Sequence, residues 1–409
     1  MAVGRSPGSH IFVIGYRESM DVTIVADDLT GACDTGALFA GRGPVSVVIA
    51  PALPDTDLEV ITLDIETRAL SDADAAAAVR GLSATLAPRL ARSAVFKKID
   101  STFRGPVAAE LDALVEGARA RVALVCPAFP AMGRTVTHGL LSVHGVPVHH
   151  SPMGHDPDYR AATSDLVELL AGRSSLPVSL LPLKEVRGAA EDLLRAARER
   201  RGLVVVDAET DADLLALVRA AHGQSDVILA GSAGLAGTAA AAWGHAGPVP
   251  DLPEGGSCLV VSGSRHPATR DQIGALERSG IVGVRVERGG SESTRGVTDR
   301  LREGGAAFIA SAEVLDGTRA EMAARLAAAA STVLADVVPA LLVLTGGDTA
   351  LAVLRALGAR RLELVGAPAS GLALGRIVLD GRPPLTVLTK AGGFGTPTLL
   401  ASLARGAIR

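Results

Sequence analysis

The hydrophobic positions of this chain fall into short, β-branched runs that alternate with Ala-rich segments of helical spacing. Runs at 22–26, 45–49, 60–63, 94–96 and 122–126 predict strands, with helices between them from Ser71 to about Leu90 and from Pro106 through Val115. From 159 to 243 the spacing predicts a helix near 160–171, strand 178–181, helix 185–200, strand 203–206, helix 211–222 and strand 227–230. An Ala-rich helix follows Gly231. After a Gly- and Pro-rich stretch the alternation restarts, with strands at 258–261 and near 281–286, 306–310, 340–344, 374–379 and 385–389. Strand–helix alternation predicts an α/β fold with mainly parallel sheets flanked by helices. At 409 residues the chain is too long for one ordinary core. The expected division is an N-terminal extension (1–19), a first domain (20–244), a linker (245–257) and a second domain (258–409), with the active site in the cleft between the domains.

The pattern breaks most sharply at Val25-Ala26-Asp27-Asp28-Leu29-Thr30-Gly31-Ala32, where a strand runs into two adjacent carboxylates and then a helix. One Asp suffices to cap a helix. Two neighbouring carboxylates repel unless a cation or a basic side chain sits between them. Open α/β sheets place ligands at such strand ends. The other polar strand ends carry Asp64-Ile65-Glu66-Thr67-Arg68 and Lys97-Lys98-Ile99-Asp100-Ser101-Thr102-Phe103-Arg104. Residues 131–158 read as a long loop with a hairpin. It contains His138, His144, His149, His150 and His155. No pair among these has the spacing of a helical metal motif, so they are expected to be solvated or to face substrate, and no metal-ligand set is predicted.

Composition narrows the choice. With 48% hydrophobic and 21% charged residues the chain is globular. A net charge of -4, with no basic run interleaved with aromatics, argues against nucleic acid. Cys33, Cys126 and Cys258 form no close pair, which suggests neither zinc nor disulfides and fits a reducing cytoplasm. The apolar run 11–14 is too short for a signal peptide or membrane span, so no membrane is expected. A homodimer is compatible with the sequence. Lysine occurs only at 97, 98, 184 and 390, and three of the four stand in acid- or glycine-rich turns. A chain so biased towards Arg then uses a compact ammonium at those turns.

Three turns of the second half share one grammar: strand, small residues with Gly and Ser or Thr, then a helix. They are Ser262-Gly263-Ser264, Thr345-Gly346-Gly347-Asp348-Thr349 and Lys390-Ala391-Gly392-Gly393-Phe394-Gly395. Glycines let a phosphate approach backbone N–H groups, and a helix dipole favours its charge. Neither a P-loop nor a Gly-x-Gly-x-x-Gly fingerprint occurs. The first half instead suits a small, polyhydroxylated, anionic substrate. Arg68 or Arg104 could grip a carboxylate, and Asp27, Asp28 or Asp100 could anchor or deprotonate a hydroxyl. Together the halves imply phosphoryl transfer across a cleft, with Mg²⁺ neutralising charge.

These motifs, with Pro127-Ala128-Phe129-Pro130, Gly133-Arg134-Thr135-Val136 and Gly231-Ser232-Ala233-Gly234, resemble the four-carbon acid sugar kinase family across roughly residues 21–405. The resemblance implies an N-terminal domain that binds the acid sugar and a C-terminal domain that binds ATP. It implies phosphorylation of D-threonate, D-erythronate or a 3-oxo-tetronate at the terminal hydroxyl. It also implies that Asp27, Asp28, Arg68, Lys98, Ile99, Asp100, Ser101 and Arg104 contact substrate. Ser264, Gly346, Gly347, Asp348, Thr349, Gly392 and Gly393 would contact ATP, with Asp348 most simply capping its helix. Cys33 and Pro106 stand where Asn is expected, Phe103 where Leu is usual and Ala391 where Ser is common. The first two would remove polar groups near the pocket. A Mg²⁺-dependent phosphatase built on Asp27 and Asp28 explains only the first half. A non-catalytic metabolite sensor would use the same fold without turnover.

Overall fold

A computed structural model describes residues 20–49, 58–151, 154–156, 159–160, 162–287, 293–312, 318–379 and 383–406. Residues 1–19, expected as an extension, lie outside the described residues. The first half opens with β1 (Val22–Ala26), α1 (Leu29–Leu38), β2 (Val45–Ile49) and β3 (Val60–Asp64), all three strands buried on both faces. Next come α2 (Asp72–Leu90), β4 (Ala94–Lys98), α3 (Val107–Gly117) and β5 (Val122–Cys126). The expected hairpin exists as a small antiparallel sheet of β6 (Arg134–Thr137), β7 (Leu140–Val143) and β8 (Val146–Pro147), followed by a ribbon of β9 (His155–Asp156) and β10 (Tyr159–Arg160). The half closes with α4 (Leu166–Ala171), β11 (Val178–Leu181), α5 (Leu183–Val186), α6 (Ala190–Arg200), β12 (Gly202–Val206), α7 (Asp211–Ala221), β13 (Val227–Gly231) and α8 (Ala233–Ala242).

The second half contains β14 (Cys258–Ser262), α9 (Pro267–Arg278), β15 (Val282–Val286), α10 (Arg295–Arg302), β16 (Ala306–Ser311) and α11 (Arg319–Asp336). It continues with β17 (Leu341–Thr345), α12 (Gly347–Ala356), β18 (Arg361–Gly366), β19 (Leu372–Ile377), β20 (Leu385–Lys390) and α13 (Leu399–Ala404).

The α/β expectation holds, and three details differ. The helix expected near 160–171 starts only at Leu166, because the Asp165 carboxylate accepts from the N–H groups of Val167 (2.9 Å) and Glu168 (3.0 Å) and so caps it there. The helix expected at 185–200 is two, α5 and α6, divided around Gly188. β18 was not expected at all. Its Arg361-Leu362-Glu363-Leu364 buries only alternate residues, the mark of a half-covered antiparallel strand rather than of the continuous apolar runs elsewhere.

β18 is the strand that joins the halves. It pairs antiparallel with β2, Arg361 opposite Val48 and Leu364 opposite Val45, and on its other side with β19. One 15-stranded sheet results, in the order β11-β12-β5-β13-β4-β1-β3-β2-β18-β19-β20-β17-β14-β16-β15. The antiparallel pairings β2–β18, β18–β19 and β19–β20 reverse direction three times, so the parallel strands of the two halves run opposite ways along the sheet. Strands in a sheet rotate by about 20–25° per step, so the six steps from β1 to β17 accumulate roughly 120–150°. That twist brings the carboxyl ends of the two halves round to one cavity.

α1 packs over the join. A Cβ built on its Gly36 would lie 2.7 Å from Thr62 Oγ1 of β3 and 2.9 Å from Leu364 Cδ1 of β18. Gly36→Val is therefore expected to cost about 1–3 kcal/mol by overpacking. A lowered urea midpoint at unchanged slope would show it; an unmoved midpoint would mean that α1 does not close on the join.

Candidate active site

At the end of β1 the two carboxylates are held by one guanidinium. Arg68 donates from Nε to Asp27 Oδ2 (2.7 Å), from Nη2 to Asp27 Oδ1 (2.8 Å) and from Nη1 to Asp28 Oδ2 (2.5 Å). Asp28 also caps α1, its Oδ1 accepting from Gly31 N (2.7 Å) while Thr30 Oγ1 donates to Oδ2 (2.8 Å). Both readings of the acidic turn are thus realised in one arrangement. Burial alone would push the Asp27 carboxyl up, but the charges of Arg68 and Lys97 outweigh it and hold the group below its ordinary range.

β4 delivers two lysines to opposite faces, as its two-residue period requires. Lys97 is fully buried and forms an ion pair with Glu110 of α3 (3.1 Å), whose carboxylate also accepts from Thr67 Oγ1. It therefore braces the underside of the turn and does not line the cavity, contrary to the expectation that the strand end presents it. Lys98 faces the cavity, and a Cβ on Gly31 would lie 3.4 Å from its Nζ. Neither a hydrogen bond nor an ion pair engages its ammonium among the described residues. Asp100 is held well below the carboxylate range. Burial opposes this, but Arg104 donates to both of its oxygens (3.0 and 2.9 Å) and Thr102 N to Oδ2 (3.0 Å). Arg68 and Arg104, expected to grip a substrate carboxylate, are thus already committed to Asp27, Asp28 and Asp100.

In the second half the three glycine turns converge on Ser264. A Cβ on Gly346 (φ +98°) would lie 3.0 Å from Ser264 N, and one on Gly392 would lie 2.5 Å from Ser264 Oγ. At Gly346 the positive φ and the Ser264 backbone both call for glycine, while at Gly392 a Cβ would press on the Ser264 hydroxyl. Two of the turns feed helices, α9 with His266 as its cap and α12 with Gly346 as its cap. Asp348 is therefore not the cap. It lies in the first turn of α12 with an exposed carboxylate that no described residue engages. The Gly392–Gly393 turn departs from the expected grammar, because the next helix, α13, starts only at Leu399.

Both sets of strand ends line one cavity of about 840 Å³, a size suited to small molecules. It brings together Asp27, Asp28, Arg68, Lys98, Asp100, Ser101 and Arg104 with Ser264, Gly346, Gly347, Asp348, Thr349, Gly392 and Gly393. Within the cavity the acid turn approaches the start of α12: a Cβ on Gly347 would lie 3.3 Å from Asp28 Oδ2. Of the residues expected at the site, Ile99 is misplaced. Its side chain is in the core and its N–H donates to Gly231 O (2.9 Å), because the chain turns inward once Lys98 has faced the cavity. Cys33, Phe103 and Pro106 also lie off the cavity wall. The Cys33 thiol is buried away from the cavity, so its departure from the family pattern removes nothing from the pocket. The histidines of the 131–158 loop whose side chains are described do not line the cavity either; the His155 side chain is outside the described residues.

The cavity also contains residues to which the sequence reading assigned no role. Asp34 lies one turn along α1 and reaches the Gly371 N–H; burial pushes its carboxyl up. Glu66, in a left-handed conformation (φ 49°), shares a hydrogen bond with Asp64, and burial raises both. Arg134 sits with Cζ 6.0 Å from the centre of the Phe394 ring, a contact between the two halves. Its place in the quoted Gly133-Arg134-Thr135-Val136 motif was the available signal. Among the described residues no group of three or more His, Cys, Asp or Glu is arranged to hold a metal ion, and no described helix is long and apolar enough to cross a membrane.

Comparison with known proteins gives an independent view. Residues 22–239 match the model of a sugar-binding N-terminal domain and residues 259–400 that of a nucleotide-binding C-terminal domain. The chain is 32% identical to D-threonate kinase of Salmonella typhimurium, over 93% of this chain and 97% of that one. It is 32% identical to 3-oxo-tetronate kinase of Methylobacterium radiotolerans, over 92% and 97%. The crystal structure of a Haemophilus influenzae protein shares the fold with a TM-score of 0.71 at 20% identity, covering 95% of this chain and 100% of that one.

The buried Asp64 carboxyl sets a pH dependence. Burial, followed by the neighbouring Glu66, pushes it up to about 10 from the ordinary 3.8. The unfolded chain ionises this group from about pH 4 upward while the folded chain keeps it neutral, so its effect on stability becomes steadily more unfavourable as pH rises towards 10. Asp64→Asn retains a donor towards Glu66 and removes that titration. Its urea midpoint relative to the unsubstituted protein is expected to rise between pH 5 and pH 9, and a constant difference would contradict the assignment.

Proposed function

Since the chain belongs to the four-carbon acid sugar kinase family, with its sugar-binding N-terminal and nucleotide-binding C-terminal domains, we propose that it transfers the γ-phosphoryl group of ATP to the terminal hydroxyl of a four-carbon sugar acid. The observation that carries this reading is the approach of Asp28 Oδ2 to Gly347. It sets the acid turn of one half against a helix amino terminus of the other. D-Threonate, D-erythronate and 3-oxo-tetronates are the acids named for the relatives, and they fit the polar, cationic character of the first half. We divide the work between residues 20–244, which take the acid, and 258–409, which take the nucleotide, with 245–257 as the link.

Phosphoryl transfer is mostly a matter of positioning and charge stabilisation. Asp27 and Asp100 are held ionised by Arg68 and Arg104 and shape the site. Asp28, at the boundary between the halves, orients the attacking hydroxyl and receives its proton. Lys98, whose ammonium is not otherwise engaged, takes the negative charge of the acid or of the group in transfer. Ser101 adds a hydroxyl donor beside it. The N–H groups of the turns around Ser264, Gly346–Thr349 and Gly392–Gly393 cradle the polyphosphate. Mg²⁺ commonly takes one or two carboxylates and otherwise phosphate and water oxygens. Asp348, exposed and unengaged at the mouth of α12, fits that demand. The ion would neutralise phosphate charge there.

The test is ADP release with ATP, Mg²⁺ and a panel of D- and L-threonate, D- and L-erythronate and 3-oxo-tetronates. Turnover is expected with at least one acid. Lys98→Ala should lower kcat/KM for that acid by about 10²–10³ while leaving the Kd for ATP in place. If the protein binds no ATP and turns over none of these acids, the proposal is wrong.

A further inference from the structure

Two lysines of this chain are completely buried, and they differ in one respect. Lys97 has the carboxylate of Glu110 at 3.1 Å. Lys390, the last residue of β20, has no carboxylate within ion-pair distance among the described residues. Its Nζ donates to Thr269 Oγ1 (3.0 Å), Ala391 O (3.1 Å) and Gly392 O (3.3 Å), and Thr269 Oγ1 itself donates to Gly392 O (2.7 Å). Across the sheet it is flanked by Thr345 of β17 and Leu372 of β19; from α9 it meets Thr269, with the His266 imidazole at the far side of the same glycine turn. An ammonium removed from water and given only neutral acceptors is costly to keep charged. Burial accordingly lowers its proton affinity, to about 8 from 10.5.

The position of this charge explains its retention. Of the three turns that meet at Ser264, two run straight into α9 and α12, whose amino termini present the positive end of a helix dipole. The Gly392–Gly393 turn runs into no helix for several residues. Its own N–H groups donate to no described residue, and the Lys390 ammonium lies directly beneath it. We propose that Lys390 is a positioning residue for the nucleotide's polyphosphate: it ties the Gly392–Gly393 turn to α9 and supplies the positive charge that a helix supplies at the other two turns. The inference rests on the nucleotide reading above. On binding, the phosphates provide the counter-charge that the folded chain lacks at this point.

The test compares ATP with AMP, which share base and ribose but differ in the phosphates the turn would meet. By isothermal titration calorimetry, Lys390→Met is expected to weaken ATP about tenfold or more and AMP much less, so that the ATP-to-AMP affinity ratio collapses. KM for the acid should stay within about twofold, and the urea midpoint without nucleotide should not fall, since an uncompensated buried charge has been removed. Equal weakening of ATP and AMP, or no weakening of either, overturns the inference. If Lys390→Met does not yield folded protein, Thr269→Val carries the test. It removes one partner of the ammonium and the hydroxyl bond to Gly392 O, and should narrow the same ratio by about threefold; an unchanged ratio overturns the inference. Unsubstituted protein that binds neither nucleotide overturns both this inference and the reading beneath it. Normal binding with an unaltered ratio in the variants overturns this inference alone.

Discussion

Everything at the site follows from placing two adjacent carboxylates at the end of a buried strand. Asp27 and Asp28 cannot share that position without a cation, and Arg68 is committed to them with all three of its outward nitrogens. The same economy repeats at Asp100, which occupies Arg104. The cost is that neither guanidinium is free for a ligand. Lys98 is then left as the unengaged ammonium among the residues that the sequence singled out in this half, which is why the proposed function gives it, rather than either arginine, the contact to a charged substrate. Lys97, one residue earlier, is spent on Glu110; removing one partner of so buried a pair typically costs about 3–5 kcal/mol.

The second half solves an opposite problem. It must attract an anion without exposing a patch of lysines, and it does so with backbone and with Arg265, Arg270, Arg285 and Arg319 of the cavity wall. Turns at Ser264, Gly346 and Gly392 come so close that side chains would collide, so N–H groups and helix ends form the part of the positive surface nearest Ser264. What brings this surface to the acid turn is β18. By pairing with β2 it fuses two parallel sheets into one, and the accumulated twist turns oppositely directed strands towards a common cavity.

Much of this was legible in the residues. Strands buried on both faces, such as β1, β5 and β14, are continuous apolar runs and declare themselves. The polar turns that follow them mark ligand positions in any open α/β sheet. What escaped has a physical reason in each case. β18 is half-covered, so Arg361 and Glu363 interrupt its apolar pattern, and the joining of the sheets depends on pairing Arg361 with Val48 and Leu364 with Val45, far apart in sequence, which no local pattern records. Ile99 and Lys97 sit among polar neighbours, but which face each takes is fixed by the strand's register, not by composition. That Arg68 and Arg104 are occupied is a property of three-dimensional neighbours, invisible until distances are known. Asp34, Glu66 and Arg134 reach the cavity from a helix, a turn and a small separate sheet, and only folding brings them together.

In the proposed reaction the cavity passes a phosphoryl group directly from nucleotide to acid across the boundary at Asp28 and Gly347. The most direct measurement is ³¹P and ¹³C NMR of the product formed from ATP and a four-carbon acid labelled at its terminal carbon. Direct transfer gives phosphorus–carbon coupling at that carbon, with one sugar-acid phosphate formed per ADP. Release of free phosphate in place of the sugar-acid phosphate would contradict it.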